Sequence, residues 1–98
     1  MNKGKEYENK AEQFLLKNNF IILKRNARFK KIEIDFICKK EENLYVFEVK
    51  FRKFINLFQS SPAQLKRIET YMLIHFPGQF FEFKYLLFSP NSLQIISL

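Results

Sequence analysis

The sequence predicts one α/β domain over residues 1–98, ordered helix, three strands, helix, two strands, with a mixed sheet flanked by the helices. Three observations carry that prediction. Apolar residues recur at helical spacing in two stretches, alternate with period two in two others, and the 98-residue chain can bury one core but not two. A hydrophobic content of 47%, with 13 Phe, supplies the apolar surface needed to fold and argues against intrinsic disorder.

The first helix is expected from Lys5 to Asn18, where Tyr7, Ala11, Phe14 and Leu15 form an apolar stripe and Asn18-Asn19 offers a stop. Glu8 lies on the margin of that stripe, one turn from Ala11 and Glu12. Phe20 to Phe29 follows as a strand that opens on Phe20-Ile21-Ile22-Leu23 and ends basic, with Lys24, Arg25 and Arg28. Residues 32 to 38 alternate, placing Ile32, Ile34, Phe36 and Cys38 on one face and Glu33, Asp35 and Ile37 on the other. Leu44 to Arg52 alternates likewise, and the polar stretch Lys39 to Asn43 between them has hairpin length. Centring that hairpin between Glu41 and Glu42 sets Asp35 opposite Glu48 and Glu33 opposite Lys50, so four ionisable groups share a sheet face.

After a polar connector with Gln59, Ser60, Ser61 and Pro62, the pattern Leu65, Ile68, Met72, Phe76 predicts a second helix that Pro77-Gly78 ends. Phe80 to Phe88 and Leu93 to Leu98 read as strands joined by the turn sequence Ser89-Pro90-Asn91-Ser92. No repeat or low-complexity segment divides the chain.

Charge and composition narrow the function. Lys plus Arg number 17 against 10 Asp plus Glu, a net charge of +7, and residues 1 to 54 hold 14 of those cations and 8 of those anions. A small basic domain suits a polyanion, with nucleic acid before an anionic membrane. Cys38 is the only cysteine and His75 the only histidine, which excludes an intramolecular disulfide and any cysteine- or histidine-rich metal cage. Met1 to Lys10 has no apolar core of a signal peptide, and no apolar run approaches the ~20 residues of a membrane span. A soluble cytoplasmic protein without a membrane partner is expected.

Carboxylates converging on one sheet face repel each other and are penalised by burial, so something must neutralise them. Carboxylate oxygens without imidazole or thiolate are hard ligands suited to Mg²⁺ or Mn²⁺. In the spacing Asp35-x12-Glu48-x-Lys50, the lysine points the same way as Glu48 and could orient or help deprotonate a water attacking phosphorus. The plainer reading is a solvated sheet face on which Asp35 and Glu48 form salt bridges with Lys50, Arg52 and Lys24. Lys24, Arg25, Arg28, Lys30, Lys31 and Arg52 could track a phosphate backbone, and Phe29 could stack on a base. His75 and Cys38 read as a helix-end residue and a small buried apolar residue.

The stretches Gly4-x-x-Tyr7-Glu8-x-x-Ala11, Phe14-Leu15, Ile22-Leu23-x-Arg25-Asn26-x-Arg28, Glu33-Ile34-Asp35-Phe36-Ile37 and Val46-Phe47-Glu48-Val49-Lys50-x-Arg52 resemble the YraN family of small bacterial proteins. The resemblance implies a restriction-endonuclease-like core with a PD-(D/E)xK site, similar to Holliday-junction resolvases. It implies Asp35 and Glu48 as ligands of Mg²⁺ (or Mn²⁺), Lys50 as the catalytic lysine and Glu8 as a helix-borne carboxylate joining the metal. It also implies nucleic acid as the partner, DNA ahead of RNA, and a homodimer if two phosphodiesters are to be cut. Ile32 stands where the family usually has Gly, Gln64 where it usually has Lys, and Glu82 with Lys84 where it has an Arg-x-Asp-like pair. A glutamine suits related nucleases, where it holds the water or the lysine, so Gln64 joins the candidate catalytic residues. A metal-dependent endonuclease is therefore expected; the alternative is a non-catalytic nucleic-acid-binding module that keeps the fold without turnover.

Overall fold

Helical spacing and strand alternation translate, in the computed structural model, into α1 (Lys3–Lys17), β1 (Ile21–Phe29), β2 (Ile32–Lys40), β3 (Asn43–Phe51), α2 (Pro62–His75), β4 (Phe81–Ser89) and β5 (Ser92–Ile96). The structure describes residues 3–51, 62–89 and 92–96. The element order is the expected one, and no boundary shifts by more than three residues. The five strands form one mixed sheet in the order β1-β2-β3-β4-β5, antiparallel except for the parallel pair β3 and β4. The connection from β3 to β4 carries α2, as a parallel pair requires. No described helix is long and apolar enough to cross a membrane.

Each helix covers its own core. Ala11 and Leu15 of α1 join Phe20, Phe36, Cys38, Phe47, Leu86 and Phe88, with Tyr7 edge-on to Phe88 at 5.2 Å. Ile68, Tyr71 and Met72 of α2 join Ile32, Ile34, Ile37, Leu44 and Val46. Fully buried side chains such as Phe36, Phe47, Leu15 and Ile37 each contribute about 1.5–3 kcal/mol relative to exposure. Cys38 lies in the first core with its thiol pushed up to about 12 by burial, which makes it inert packing material.

The stop at Asn18-Asn19 has a physical form. The Phe20 amide donates to the Leu15 carbonyl (3.0 Å) and the Asn19 amide to that of Leu16 (3.1 Å), while Asn19 takes a left-handed φ of 69°. This pattern satisfies the orphan carbonyls of a helix end and sets buried Phe20 against buried Leu15. After α2, Gly78 takes a left-handed φ of 75° in a turn that the Gln79 amide closes on the Phe76 carbonyl at 3.3 Å.

The hairpin between β2 and β3 has the expected register, with Phe36 facing Phe47, Ile37 facing Val46 and Lys40 facing Asn43. Its turn is tighter than the sequence suggests, since Glu41-Glu42 alone separates the strands and Glu41 sits at φ 58°. One expectation fails. Ile32, Ile34, Phe36 and Cys38 do not share a face, because Ile32 and Ile34 belong to the core under α2 and Phe36 and Cys38 to the core under α1. The switch falls at Asp35. Arg25 pairs with Phe36 and Ala27 with Ile34, so Asn26, at a left-handed φ of 55°, stands across from Asp35 where the alternation switches.

Candidate active site at the end of the β2–β3 hairpin

The β2–β3 ladder ends at Phe36 and Phe47, one residue short of Asp35 and Glu48. Beyond that point the Asp35 carboxylate takes over the role of a backbone acceptor, and the Val49 amide donates to its Oδ2 at 2.8 Å. Glu48 lies on the α2 side of β3, where Gln64 Nε2 donates to its Oε1 at 3.3 Å. Lys50 Nζ stands 3.7 Å from the same oxygen. Glu48 Oε2 is buried and accepts no hydrogen bond among the described residues. A buried acceptor without a donor is destabilising unless a ligand or ion completes it.

Asp35 is the electrostatic focus. Burial pushes its carboxyl up from the ordinary 3.8 to about 6, the Val49 hydrogen bond opposes the rise, and the charges of Glu48, Glu33 and Glu8 add to it. The folded protein thus binds this proton more tightly than the unfolded chain. The resulting stabilisation is complete below 3.8 and is lost as pH rises through about 6. Asp35→Asn keeps an acceptor for Val49 and removes the half-buried charge. In divalent-free buffer it is expected to stabilise the protein at pH 7 by on the order of 1–3 kcal/mol and to flatten the loss of stability between pH 4 and 6. Urea denaturation across that range measures both effects.

Glu8 is positioned by α1 but turned toward β1. Its Oε2 accepts from Asn26 Nδ2 (3.3 Å) and from Arg25 NH2 (3.4 Å). Arg25 also reaches Glu12 Oε1 (3.1 Å) and Asn9 Oδ1 (2.9 Å), with its guanidinium over the Phe36 ring. Expected from sequence as a phosphate contact, Arg25 instead ties α1 to β1. Arg25→Ala is expected to destabilise the fold by about 1–2 kcal/mol, since it removes the ion pairs of two half-buried carboxylates; thermal unfolding checks this.

Glu8 thus bears on Asp35 through its charge while its carboxylate is engaged by Arg25 and Asn26. Among the described residues no three His, Cys, Asp or Glu side chains gather closely enough to hold one ion. The donor set that fits a divalent cation is the pair Asp35 and Glu48, with the unpartnered Glu48 Oε2 offering a hard oxygen.

The remaining site candidates divide. Lys24 and Arg28 on β1 are exposed, as is Lys30, which occupies the β1–β2 turn at φ 56° with its ammonium 5.3 Å from the Phe29 ring centre. Phe29 is half-buried against Tyr71 at 5.7 Å, which leaves it a packing residue and not a stacking platform. Arg52 lies outside the described residues. Lys84 and Glu82 form a 3.8 Å ion pair, so the reversed polarity of that pair preserves a salt bridge. Asn26, part of the quoted family motif but given no role by it, has a buried Oδ1 with no hydrogen-bond partner among the described residues, and its amide holds Glu8. The signal was present in an asparagine within a β-rich run, the residue type that most readily takes a left-handed φ after glycine.

A family model described as "Uncharacterised protein family UPF0102" matches residues 7–80, a span that holds Glu8, Asp35, Glu48, Lys50 and Gln64. A UPF0102 protein of Leptospira interrogans is 52% identical over 56 residues, 57% of this chain and 48% of the relative. One from Kosmotoga olearia is 37% identical over 71 residues, 70% of this chain and 62% of the relative. One from Campylobacter jejuni is 57% identical over 44 residues, 45% of this chain and 39% of the relative. The chain spans about half the length of the curated relatives it matches. With most of its length under the family model and the expected five-stranded mixed sheet between two helices, the chain belongs to UPF0102, the YraN family of the restriction-endonuclease-like superfamily.

Proposed function

We propose that the protein is a metal-dependent phosphodiesterase acting on nucleic acid, DNA ahead of RNA, with Asp35 and Glu48 as the ligands of Mg²⁺ or Mn²⁺. The observation that carries the reading is the buried, unpartnered Glu48 Oε2, on a carboxylate whose other oxygen is held by Gln64 and Lys50. When bound, the cation supplies Lewis acidity at a phosphoryl oxygen and a lowered pKa for an attacking water. Asp35 is held in place by the Val49 amide and carries negative charge to the divalent ion above about pH 6. Gln64 fixes the Glu48 carboxylate and frees its second oxygen for the ion. Lys50 orients the attacking water with its ammonium and offsets the charge growing on the phosphoryl oxygens. The water's oxygen bonds to phosphorus, the ester P–O bond breaks, and a proton ends on the leaving oxygen.

The net charge of +7 would raise the local concentration of a phosphate backbone around a site that is itself acidic. The test is incubation of the purified protein with duplex, branched and single-stranded DNA and with RNA, with and without Mg²⁺ or Mn²⁺. Cleavage that requires the cation supports the reading, and failure on every substrate overturns it. A second reading, the non-catalytic binding module, is favoured by the engagement of Glu8 with Arg25. It requires affinity that falls with salt and is indifferent to Asp35→Ala.

A further inference from the structure

One face of α2 leads away from the carboxylates. Gln64, Arg67, Tyr71 and His75 follow the i, i+3, i+7, i+11 spacing that keeps residues on one side of a helix. Gln64 touches Glu48 at the start of this stripe. Arg67, one turn on, is half-buried and makes no ion pair among the described residues. Tyr71 is buried between Phe29, at 5.7 Å, and the imidazole of His75, at 4.2 Å and tilted by 30°. His75 itself is exposed. The ring series Phe29, Tyr71, His75 is therefore buried at its centre and ends on an accessible heteroaromatic ring at His75, with the exposed Lys30 ammonium over Phe29 at the other end.

We propose that this face binds single-stranded nucleic acid, with an unpaired base stacked on His75 and a backbone phosphate on Arg67. A ring fixed from behind by a buried tyrosine is a preorganised stacking surface, and every base presents a π-face to it. Paired bases inside a duplex offer no such plane, which selects the single strand. An arginine without a carboxylate partner is a ready phosphate contact. Gln64 and His75 are separated by eleven residues of helix, about 17 Å, a distance that a few nucleotides of extended strand can span. The inference rests on the phosphodiesterase reading only in taking the strand to continue to Glu48.

The test is fluorescence titration, in EDTA at low salt, of a short single-stranded oligonucleotide carrying one 2-aminopurine, with the duplex of the same sequence and the RNA equivalent alongside. The wild-type protein is expected to bind either single strand more tightly than the duplex and to quench the 2-aminopurine. His75→Ala is expected to weaken single-strand binding about tenfold and to abolish quenching, while His75→Phe restores both. Arg67→Ala is expected to reduce the slope of log affinity against log salt by about 0.7. Unchanged binding and quenching in His75→Ala, or equal affinity for duplex and single strand, overturns the inference. The two proposals fail separately. Cation-dependent cleavage with no effect of His75→Ala leaves the phosphodiesterase standing alone, whereas His75-dependent quenching without cleavage leaves the strand-binding face standing alone.

Discussion

Asp35→Ala is expected to reduce cation-dependent cleavage by at least about 100-fold, the scale on which removal of one preorganised electrostatic group acts. Lys50→Ala is expected to do the same by a different route. As a proposed ligand Asp35 would carry negative charge to the ion, so its loss should also abolish saturable binding of Mn²⁺ followed by calorimetry or by proton relaxation. Lys50, 3.7 Å from Glu48, is proposed to act on the water and the developing phosphoryl charge, so Lys50→Ala should keep Mn²⁺ affinity while losing turnover. Equal loss of ion binding in both variants would argue that Lys50 acts by orienting Glu48. Neither substitution opens a cavity in the cores, since both side chains are only partly buried, and a native circular dichroism spectrum is expected for each.

The largest expected effect on stability comes from the core under α1. Phe47 is fully buried on β3, edge-on to Phe20 at 5.2 Å and stacked with Tyr45 at 5.9 Å. Phe47→Ala removes those ring contacts and leaves a void that the sheet backbone cannot close. The expected cost is about 3–5 kcal/mol, against a total stability of about 5–15 kcal/mol for a domain of this size. Urea denaturation should show the midpoint falling with little change in slope. Leu73→Ala, at a position 68% exposed on α2, is the control and should change stability by less than about 0.5 kcal/mol.

Much of this architecture is legible in the sequence because it rests on local rules. Helical spacing marks Tyr7, Ala11 and Leu15, and a short polar connection sets the β2–β3 register that brings Asp35 alongside Glu48. What is not legible depends on partners distant in sequence. Arg25 reads as a free cation until α1 folds back to offer Glu8 and Glu12, 17 and 13 residues earlier. The alternation of β2 fails at Asp35, opposite the left-handed Asn26 of the neighbouring strand. Phe29 looks available for stacking until Tyr71 closes over it, and the exposed ring of that series proves to be His75.

The parallel pairing of β3 with β4 also orders events in time. β1, β2 and β3 are joined by tight turns, so this meander can form by local hairpin closures on the microsecond scale. β4 can align only after the chain has passed through α2 and returned, and closing that longer loop is the slower step. Asp35 and Glu48 are therefore brought side by side early, while Gln64 arrives with the late closure. Until then the two carboxylates repel each other in water, and a divalent cation held by this pair, as proposed, would favour the meander before the helix that covers it has docked.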